Sequence, residues 1–242
     1  MNKFYSRNYW SIGFQSSLYD RLSPECYFES MRRVVDCIPD GKSLSLLDAG
    51  CGSGLLLTFL EERIRNGLVY TGLDLLDSGV KATLLRAKEL GIEATCLNSD
   101  LISPLGGEKF DVIVAHFCLY TLASDELREQ ALANVKSVLK TEGILIIVNP
   151  SNEYNADSII EDSIRLVRER HGLPSSLFKQ FLIYPFTKTM GLRFIQNQLR
   201  SKKWKGYTRE EFSQEMEFAG FKVEKIEEVY AGSAFLGVGR LI

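Results

Sequence analysis

Between residues 44 and 148, short apolar runs alternate with longer stretches in which apolar positions recur every three or four residues. The short runs, at 44–48, 68–73, 93–97, 111–115 and 144–148, are mostly rich in Leu, Ile and Val, which predicts buried strands. The stretches between them predict helices over 54–66, 79–90 and 125–139, with Ser78 and Ser124 as N-caps of the last two. Lys140-Thr141-Glu142-Gly143 reads as the stop before the fifth strand. Strand and helix in strict alternation predict a parallel sheet with crossover helices on its faces.

The flanks follow other rhythms. Ser23-Pro24 predicts a helix N-terminus, the helix running to about Cys37 and ending in the turn Pro39-Asp40-Gly41. Ahead of it, Phe4, Tyr5, Tyr9, Trp10, Phe14 and Tyr19 are too many aromatics for a simple tail. After Asn149-Pro150 the alternation breaks: a helix is predicted over 156–170, breakers stand at Gly172-Leu173-Pro174, and an aromatic and basic stretch reaches Gly206. Thr208 followed by Glu211 is a capping-box pattern, opening a helix that stops at Ala219-Gly220. Two last strands, 221–230 and 233–241, have only Ala231-Gly232 between them, a connection that joins antiparallel neighbours alone. The expected organisation is an N-terminal helical lid (1–43), a core built from 44–150 and 207–242, and an inserted cap subdomain (151–206).

Composition narrows the class. The chain has 242 residues, 45% apolar and 25% charged, as in a folded α/β domain. No run approaches the roughly 18 apolar residues of a membrane span, and the first residues lack the apolar core of a secretory signal, so a cytoplasmic protein is expected. Five cysteines (Cys26, Cys37, Cys51, Cys96, Cys118) have neither zinc-site nor disulfide-framework spacing, so free thiols and no metal are expected. A net charge of -2 argues against DNA as a partner. The charge is unevenly placed: residues 170–209 hold nine of the 29 Lys and Arg and none of the 31 Asp and Glu.

The candidate chemistry begins at Leu44-Ser45-Leu46-Leu47-Asp48-Ala49-Gly50-Cys51-Gly52-Ser53-Gly54, a glycine-rich turn after a buried strand and before a helix. Glycine lets the backbone turn tightly and approach a ligand, while the helix N-terminus offers unpaired N–H groups. Twenty residues beyond Gly54, at the next strand end, Asp74 is placed to accept bonds from both hydroxyls of a ribose. Asp100 closes the third strand within Asn98-Ser99-Asp100-Leu101.

With these features the sequence resembles the class I, Rossmann-like S-adenosylmethionine-dependent methyltransferases. LLDAGCGSG matches their first motif, Asp74 their ribose-binding acid, Asp100-Leu101 their adenine-edge motif, and residues 110–116 and 139–145 their fourth strand and the approach to the fifth. The resemblance covers 44–149 and the final helix and strand pair. It implies an α/β, doubly wound, seven-stranded and mostly parallel sheet whose last strand is antiparallel, with an N-terminal helical lid and a helical insertion after the fifth strand. It also implies cofactor contacts: Asp48, Gly50 and Gly52 around the methionine part, Asp74 at the ribose, Leu75, Asp100 and Leu101 at the adenine, Ala115 and His116 at the methyl-bearing end. A nicotinamide dehydrogenase is the rival, but the turn reads Gly-x-Gly-x-Gly, and Leu55 or Leu57 stands where the third glycine of Gly-x-Gly-x-x-Gly belongs.

For catalysis the candidates are His116, whose ordinary pKa of about 6.5 suits proton removal, and Tyr120 as a substrate-positioning group; the plainer reading of His116 is packing. His171, beside the Gly172 breaker, reads as a loop residue. The expected activity is methyl transfer from S-adenosylmethionine to a small, partly apolar molecule, with an anionic group as an option, by direct displacement at the sulfonium methyl. The alternatives are an RNA or protein methyltransferase docked through the basic insertion, and a non-catalytic nucleotide-binding protein. Residues 170–209 are also a candidate for peripheral membrane contact, and the sequence implies no oligomeric state.

Overall fold

A computed structural model describes residues 18–41, 43–107 and 109–242, so the aromatic residues Phe4 to Phe14 and the first 17 residues of the expected lid lie outside the described residues. Seven strands form one sheet: β1 Ser45–Ala49, β2 Val69–Asp74, β3 Thr95–Asn98, β4 Phe110–His116, β5 Leu139–Pro150, β6 Phe221–Val229 and β7 Ala234–Leu241. Their spatial order is 3-2-1-4-5-7-6. The first five run parallel, and β7 lies antiparallel between β5 and β6, as the short connection requires.

The helices are α1 Leu18–Leu22, α2 Glu25–Asp36, α3 Leu55–Arg65, α4 Asp77–Leu90, α5 Asp125–Ser137, α6 Ala156–Phe178, α7 Arg193–Arg200 and α8 Arg209–Phe218. Successive strand residues feed opposite faces of the sheet. Leu46, Val112, Val114, Ile144 and Ile146 pack with residues of α2, α3 and α6, whereas Leu47, Ile113, Leu145 and Ile147 pack with those of α5 and α8. Neither face is left to water, which explains the continuous apolar character of β4 and β5.

Local expectations were met unevenly. Ser124 caps α5, its side chain accepting from Leu127 N–H, and Thr208 and Glu211 form the reciprocal box at α8. Ser78, by contrast, lies inside the first turn of α4, whose N-cap is Leu76; Ser23 precedes Pro24, the N-cap of α2. Lys140 to Gly143 do not precede β5 but bulge within it: the pairing with β4 jumps from Phe110↔Leu139 to Val112↔Ile144, and Glu142 takes φ of +60°.

The insertion departs most from expectation. Gly172 (φ 80°, ψ 173°) interrupts α6 as the Gly-Pro breakers foretold, yet the chain resumes helical geometry to Phe178. It then winds in wide π-helical turns, Lys179–Ile183 and Thr187–Leu192, around a single helical turn, Tyr184–Phe186. Ile159, Ile160, Leu166, Val167, Tyr184 and Leu192 belong to the core on one face of the sheet, and Trp204 to the core on the other. Residues 151–206 are therefore woven into both layers rather than set apart as a cap.

Candidate active site

The turn after β1 is fixed by backbone bonds before any ligand is considered. Gly50 and Cys51 N–H both donate to Leu73 O (2.7 and 2.9 Å), tying the turn to the end of β2. Gly50 takes φ of +86°, and a Cβ there would stand 2.6 Å from Cys118 Cβ, so glycine is required by both conformation and space. Beyond the turn, Arg86 of α4 donates to Ser53 O and to Asp20 of α1, while Ser53 Oγ donates to Asp20 (2.9 Å).

Asp74 sits at the end of β2 with its carboxylate held from two sides. Gly52 N–H donates to Oδ2 (2.9 Å) and Leu76 N–H to Oδ1 (2.8 Å). Burial raises its pKa, while these two N–H groups pull it down. A carboxylate has about four acceptor positions, so two bonds leave it able to accept from a pair of hydroxyls. Helix α4 approaches Asp74 at Gly79, where a Cβ would meet Asp74 Cγ at 2.9 Å. Asn98 Nδ2 donates to the carbonyls of Asp74 and Leu75 (3.0 and 3.1 Å), fixing the chain as it leaves β2.

Asp48 is buried and accepts from Tyr70 OH (2.7 Å). Burial raises its pKa to about 7, the Tyr70 hydroxyl opposing and the nearby Asp74 charge reinforcing that rise. Among the described residues no cation pairs with either carboxylate. Both line a cavity of about 210 Å³ with Gly50, Gly52, Leu75, Asp100 and Leu101, and no Lys or Arg is among its described lining residues.

The other end of the cavity is aromatic. His116, at the end of β4, is buried against Tyr27 and Phe117, with ring centroids at 5.0 and 4.8 Å. Its Nε2 lies 2.9 Å from Ser30 Oγ. Ser30 Oγ also reaches Tyr27 O (2.8 Å); with its one hydrogen donated there, Oγ accepts from His116 Nε2–H, which assigns the tautomer. That leaves Nδ1 as the bare nitrogen, buried and without a hydrogen-bond partner among the described residues. Burial alone pushes the imidazole pKa down to about 3. Phe117 next takes φ of +51°, a costly conformation for a bulky residue of the kind that gathers at functional sites.

The cavity thus gathers Asp48, Gly50, Gly52, Asp74, Leu75, Asp100, Leu101 and His116. It does not gather Ala115 or Tyr120. Ala115 points into the core beneath the sheet, because neighbouring strand residues face opposite ways. Tyr120 packs edge-on to Trp204 and Phe117 (5.4 and 6.3 Å) in the same core, so the structure corrects its expected place beside a substrate. Tyr27, Met31, Phe117, Cys118, Thr121 and Leu122 are among the other wall residues; α2 was visible as a helix, but nothing in its spacing marked Tyr27, Ser30 and Met31 as neighbours of β4.

Residues 151–206 contribute no described residue to the wall. Much of their positive charge meets acid instead. Glu25 of α2, 2% exposed, faces Arg32, Arg170 and Lys179; burial raises its carboxyl, but Lys179, Arg170 and Arg32 together hold it below the ordinary value. Arg170 also reaches Glu29, Lys188 meets Asp157 and Lys205 meets Asp125.

The strand order, the antiparallel β7 and a glycine turn facing an acidic β2 end define the class I S-adenosylmethionine-dependent methyltransferase fold. The N-methyltransferase NodS of Bradyrhizobium japonicum, solved with S-adenosyl-L-homocysteine, is similar in fold at a TM-score of 0.59 and 14% identity, over 95% of this chain and 98% of that one. A family model described as a methyltransferase domain matches residues 40–220, and the chain belongs to that family. Among curated relatives, the ubiquinone biosynthesis O-methyltransferase of Rickettsia felis is 27% identical over 142 residues, 59% of this chain and 56% of the relative. Nocamycin O-methyltransferase of Saccharothrix syringae is 31% identical over 104 residues, 41% of this chain and 36% of the relative. The match spans about half the length of the first of these relatives and about a third of the second.

Proposed function

We propose that the protein transfers the methyl group of S-adenosylmethionine to a hydroxyl of a small, largely apolar acceptor. The observation that carries this reading is the pair of buried carboxylates without a cation: Asp74, braced by Gly52 and Leu76 with acceptor capacity to spare, and Asp48, raised to about 7. A buried carboxylate of that kind calls for a cationic, hydrogen-bonding ligand. Asp48 would receive the ammonium of the methionine part with Gly50 and Gly52 beside it, Asp74 the ribose hydroxyls, and Leu75, Asp100 and Leu101 the adenine edge. The cofactor supplies a methyl made electrophilic by its sulfonium, so the protein's task is alignment.

His116 performs that alignment. Its Nδ1 is an acceptor in search of a donor, and a hydroxyl hydrogen supplies one; the bond aims the oxygen and its lone pairs. The low basicity caused by burial supports orientation rather than proton storage as the role of His116. Tyr27, Met31, Phe117 and Leu122 form an apolar end that excludes water and takes a ring or hydrocarbon body. The described wall has no basic residue for an acceptor's anionic group. The names of the two curated O-methyltransferases support the choice of oxygen.

Calorimetry on the full chain should find S-adenosylhomocysteine bound at one site. Incubation with S-adenosylmethionine and a panel of phenols and the matching anilines should form S-adenosylhomocysteine with the phenols. Absence of cofactor binding by folded protein refutes the whole reading, and turnover with the anilines alone refutes the choice of acceptor atom.

A further inference from the structure

Cys51, between the first two glycines of the turn, has a second cysteine against it. Asp48 of β1, Gly72 of β2 and Cys96 of β3 stand side by side across the sheet, and the turn carries Cys51 over β2. Gly72 has no side chain, and sulfur fills the space above it: a Cβ there would lie 2.9 Å from Cys51 Sγ and 3.3 Å from Cys96 Sγ. The two thiols, both free, are hydrogen-bonded to one another. Thr83 of α4 closes the far side, its Oγ1 3.3 Å from Cys51 Sγ and 3.2 Å from Gly52 O.

We propose that Cys51 and Cys96 form a reversible disulfide when the protein meets a peroxide, and that this bond weakens cofactor binding. The two sulfurs have different environments. Cys96, on the edge strand, is half-buried; the Cys51 S–H directed at it lowers its pKa, with burial opposing and the Gly72 N–H assisting. Cys51 is buried, and donating to Cys96, together with that burial, raises its own pKa. The thiolate is the form that attacks peroxide, so Cys96 reacts first. Its sulfur takes one oxygen of hydrogen peroxide and becomes a sulfenic acid, the O–O bond breaks, and the other oxygen leaves as water. Cys51 sulfur then attacks the Cys96 sulfur: the S–S bond forms, the S–O bond breaks, and the hydroxyl departs as water with the Cys51 proton. The two thiols lose two electrons, and one peroxide becomes two waters. A thiol reductant reverses the bond by exchange.

The bond acts on the site through the turn. Cys51 lines the cavity between Gly50, tied to Leu73 O, and Gly52, whose N–H holds Asp74. An S–S bond of about 2.05 Å is much shorter than a hydrogen-bonded contact of two thiols. Forming it draws Cys51 toward β3 and pulls the neighbouring Gly52 N–H off the Asp74 carboxylate. This consequence rests on the reading of the cavity as the cofactor site; the bond itself does not. By reciprocity, bound cofactor disfavours the disulfide by the same factor.

The test treats the reduced full chain with hydrogen peroxide, without cofactor, and maps the unreduced peptides by mass spectrometry. Wild type should yield a Cys51–Cys96 cross-linked peptide that dithiothreitol dissolves. Cys51→Ser should stop at a Cys96 sulfenic acid, captured by dimedone. In calorimetry, affinity for S-adenosylhomocysteine should fall about tenfold or more on oxidation and return with dithiothreitol, while Cys96→Ser binds equally before and after peroxide. Wild type without the cross-link, its two cysteines still reduced or irreversibly oxidised, overturns the inference. So does a cross-linked protein whose affinity stays within about twofold of the reduced form. Failure of the reduced protein to bind S-adenosylhomocysteine refutes instead the reading of the cavity, since the cross-link is mapped without ligand.

Discussion

Alanine at Gly79 sets two physical effects against each other. Gly79 lies in the first turn of α4, where Gly→Ala favours helix by at most about 1 kcal/mol, and no positive φ forbids it. The new Cβ, however, would lie 2.9 Å from Asp74 Cγ, 3.1 Å from Oδ1 and 3.2 Å from Oδ2. Asp74 cannot swing aside cheaply, because Gly52 and Leu76 N–H hold its two oxygens; either those bonds stretch or α4 moves off. Overpacking of this kind costs about 1–3 kcal/mol, so the net loss of stability should be no more than about 3 kcal/mol. The effect on ligand should be larger, since displacing the carboxylate forfeits charged hydrogen bonds to the ribose, about 1.5–3 kcal/mol, or roughly ten- to a hundredfold in affinity. Calorimetry with S-adenosylhomocysteine, paired with thermal melts, reads both. Gly106→Ala is the control, as a Cβ there meets nothing within 4 Å. Affinity within twofold of wild type in a folded Gly79→Ala variant would show that Asp74 does not hold the ribose.

Cofactor affinity should rise with pH up to about 7 and then level. A cationic ligand favours ionised Asp48, so below its raised pKa binding must expel a proton, weakening by up to about tenfold per pH unit; Asp48→Asn should flatten the profile in calorimetric titrations. In the ligand-free protein the same raised pKa means protons bind more tightly to the folded state, so Asp48 makes stability fall as pH climbs from the ordinary carboxylate range to about 7. Glu25→Ala should cost about 3 kcal/mol by urea unfolding, the scale of breaking a buried ion cluster. Because Glu25 is held below its ordinary pKa, wild-type stability should decline as pH falls through and below about 4.5, and the variant should lack that part of the decline. His116→Ala should lower turnover by about tenfold or more with cofactor affinity unchanged, and Ser30→Ala should follow it in direction; a wild-type turnover profile bending with an imidazole pKa near 6.5 would contradict the buried, neutral ring.

The parallel sheet was legible because its central strands β1, β4 and β5 are buried on both faces and so stand out as apolar runs, and the β6–β7 pairing because two residues cannot cross over a sheet. The turn at Gly50 and the acid at Asp74 were legible for a related reason: their partners lie at adjacent strand ends that strand order alone brings together. The opposite end of the cavity was not. His116 and Ser30 are 86 positions apart, and their contact depends on how α2 crosses the sheet, which local periodicity does not encode. Tyr120 illustrates the same gap in reverse: position after β4 suggested a substrate contact, while Trp204, a long-range neighbour, makes it a core residue. The helix after Leu76 starts one residue before the serine expected to cap it, since Asp74 accepts the Leu76 N–H and so takes over part of the work of a capping side chain.

The positive charge of the insertion divides into two parts, separable by whether an acid of the protein pairs with it. Several cations find acids of the protein: Arg170 and Lys179 the buried Glu25, Lys188 the exposed Asp157 of the insertion itself, and Lys205 the exposed Asp125. The Glu25 cluster joins the insertion to the body and fixes α2, whose inner side carries Tyr27, Ser30 and Met31 to the site. Cations that face water, Arg200, Lys202 and Lys203, have no such acid, and they belong to the same segment as the exposed apolar residues at 177–186. Had the whole basic stretch been a solvated face, the buried Glu25 cluster would not exist; had it all been internal docking, the outward side of residues 177–186 would not be apolar. The insertion therefore has an inner surface that holds α2 over the cavity through Glu25, while its water-facing side carries exposed apolar residues at 177–186 and exposed cations at 200–203.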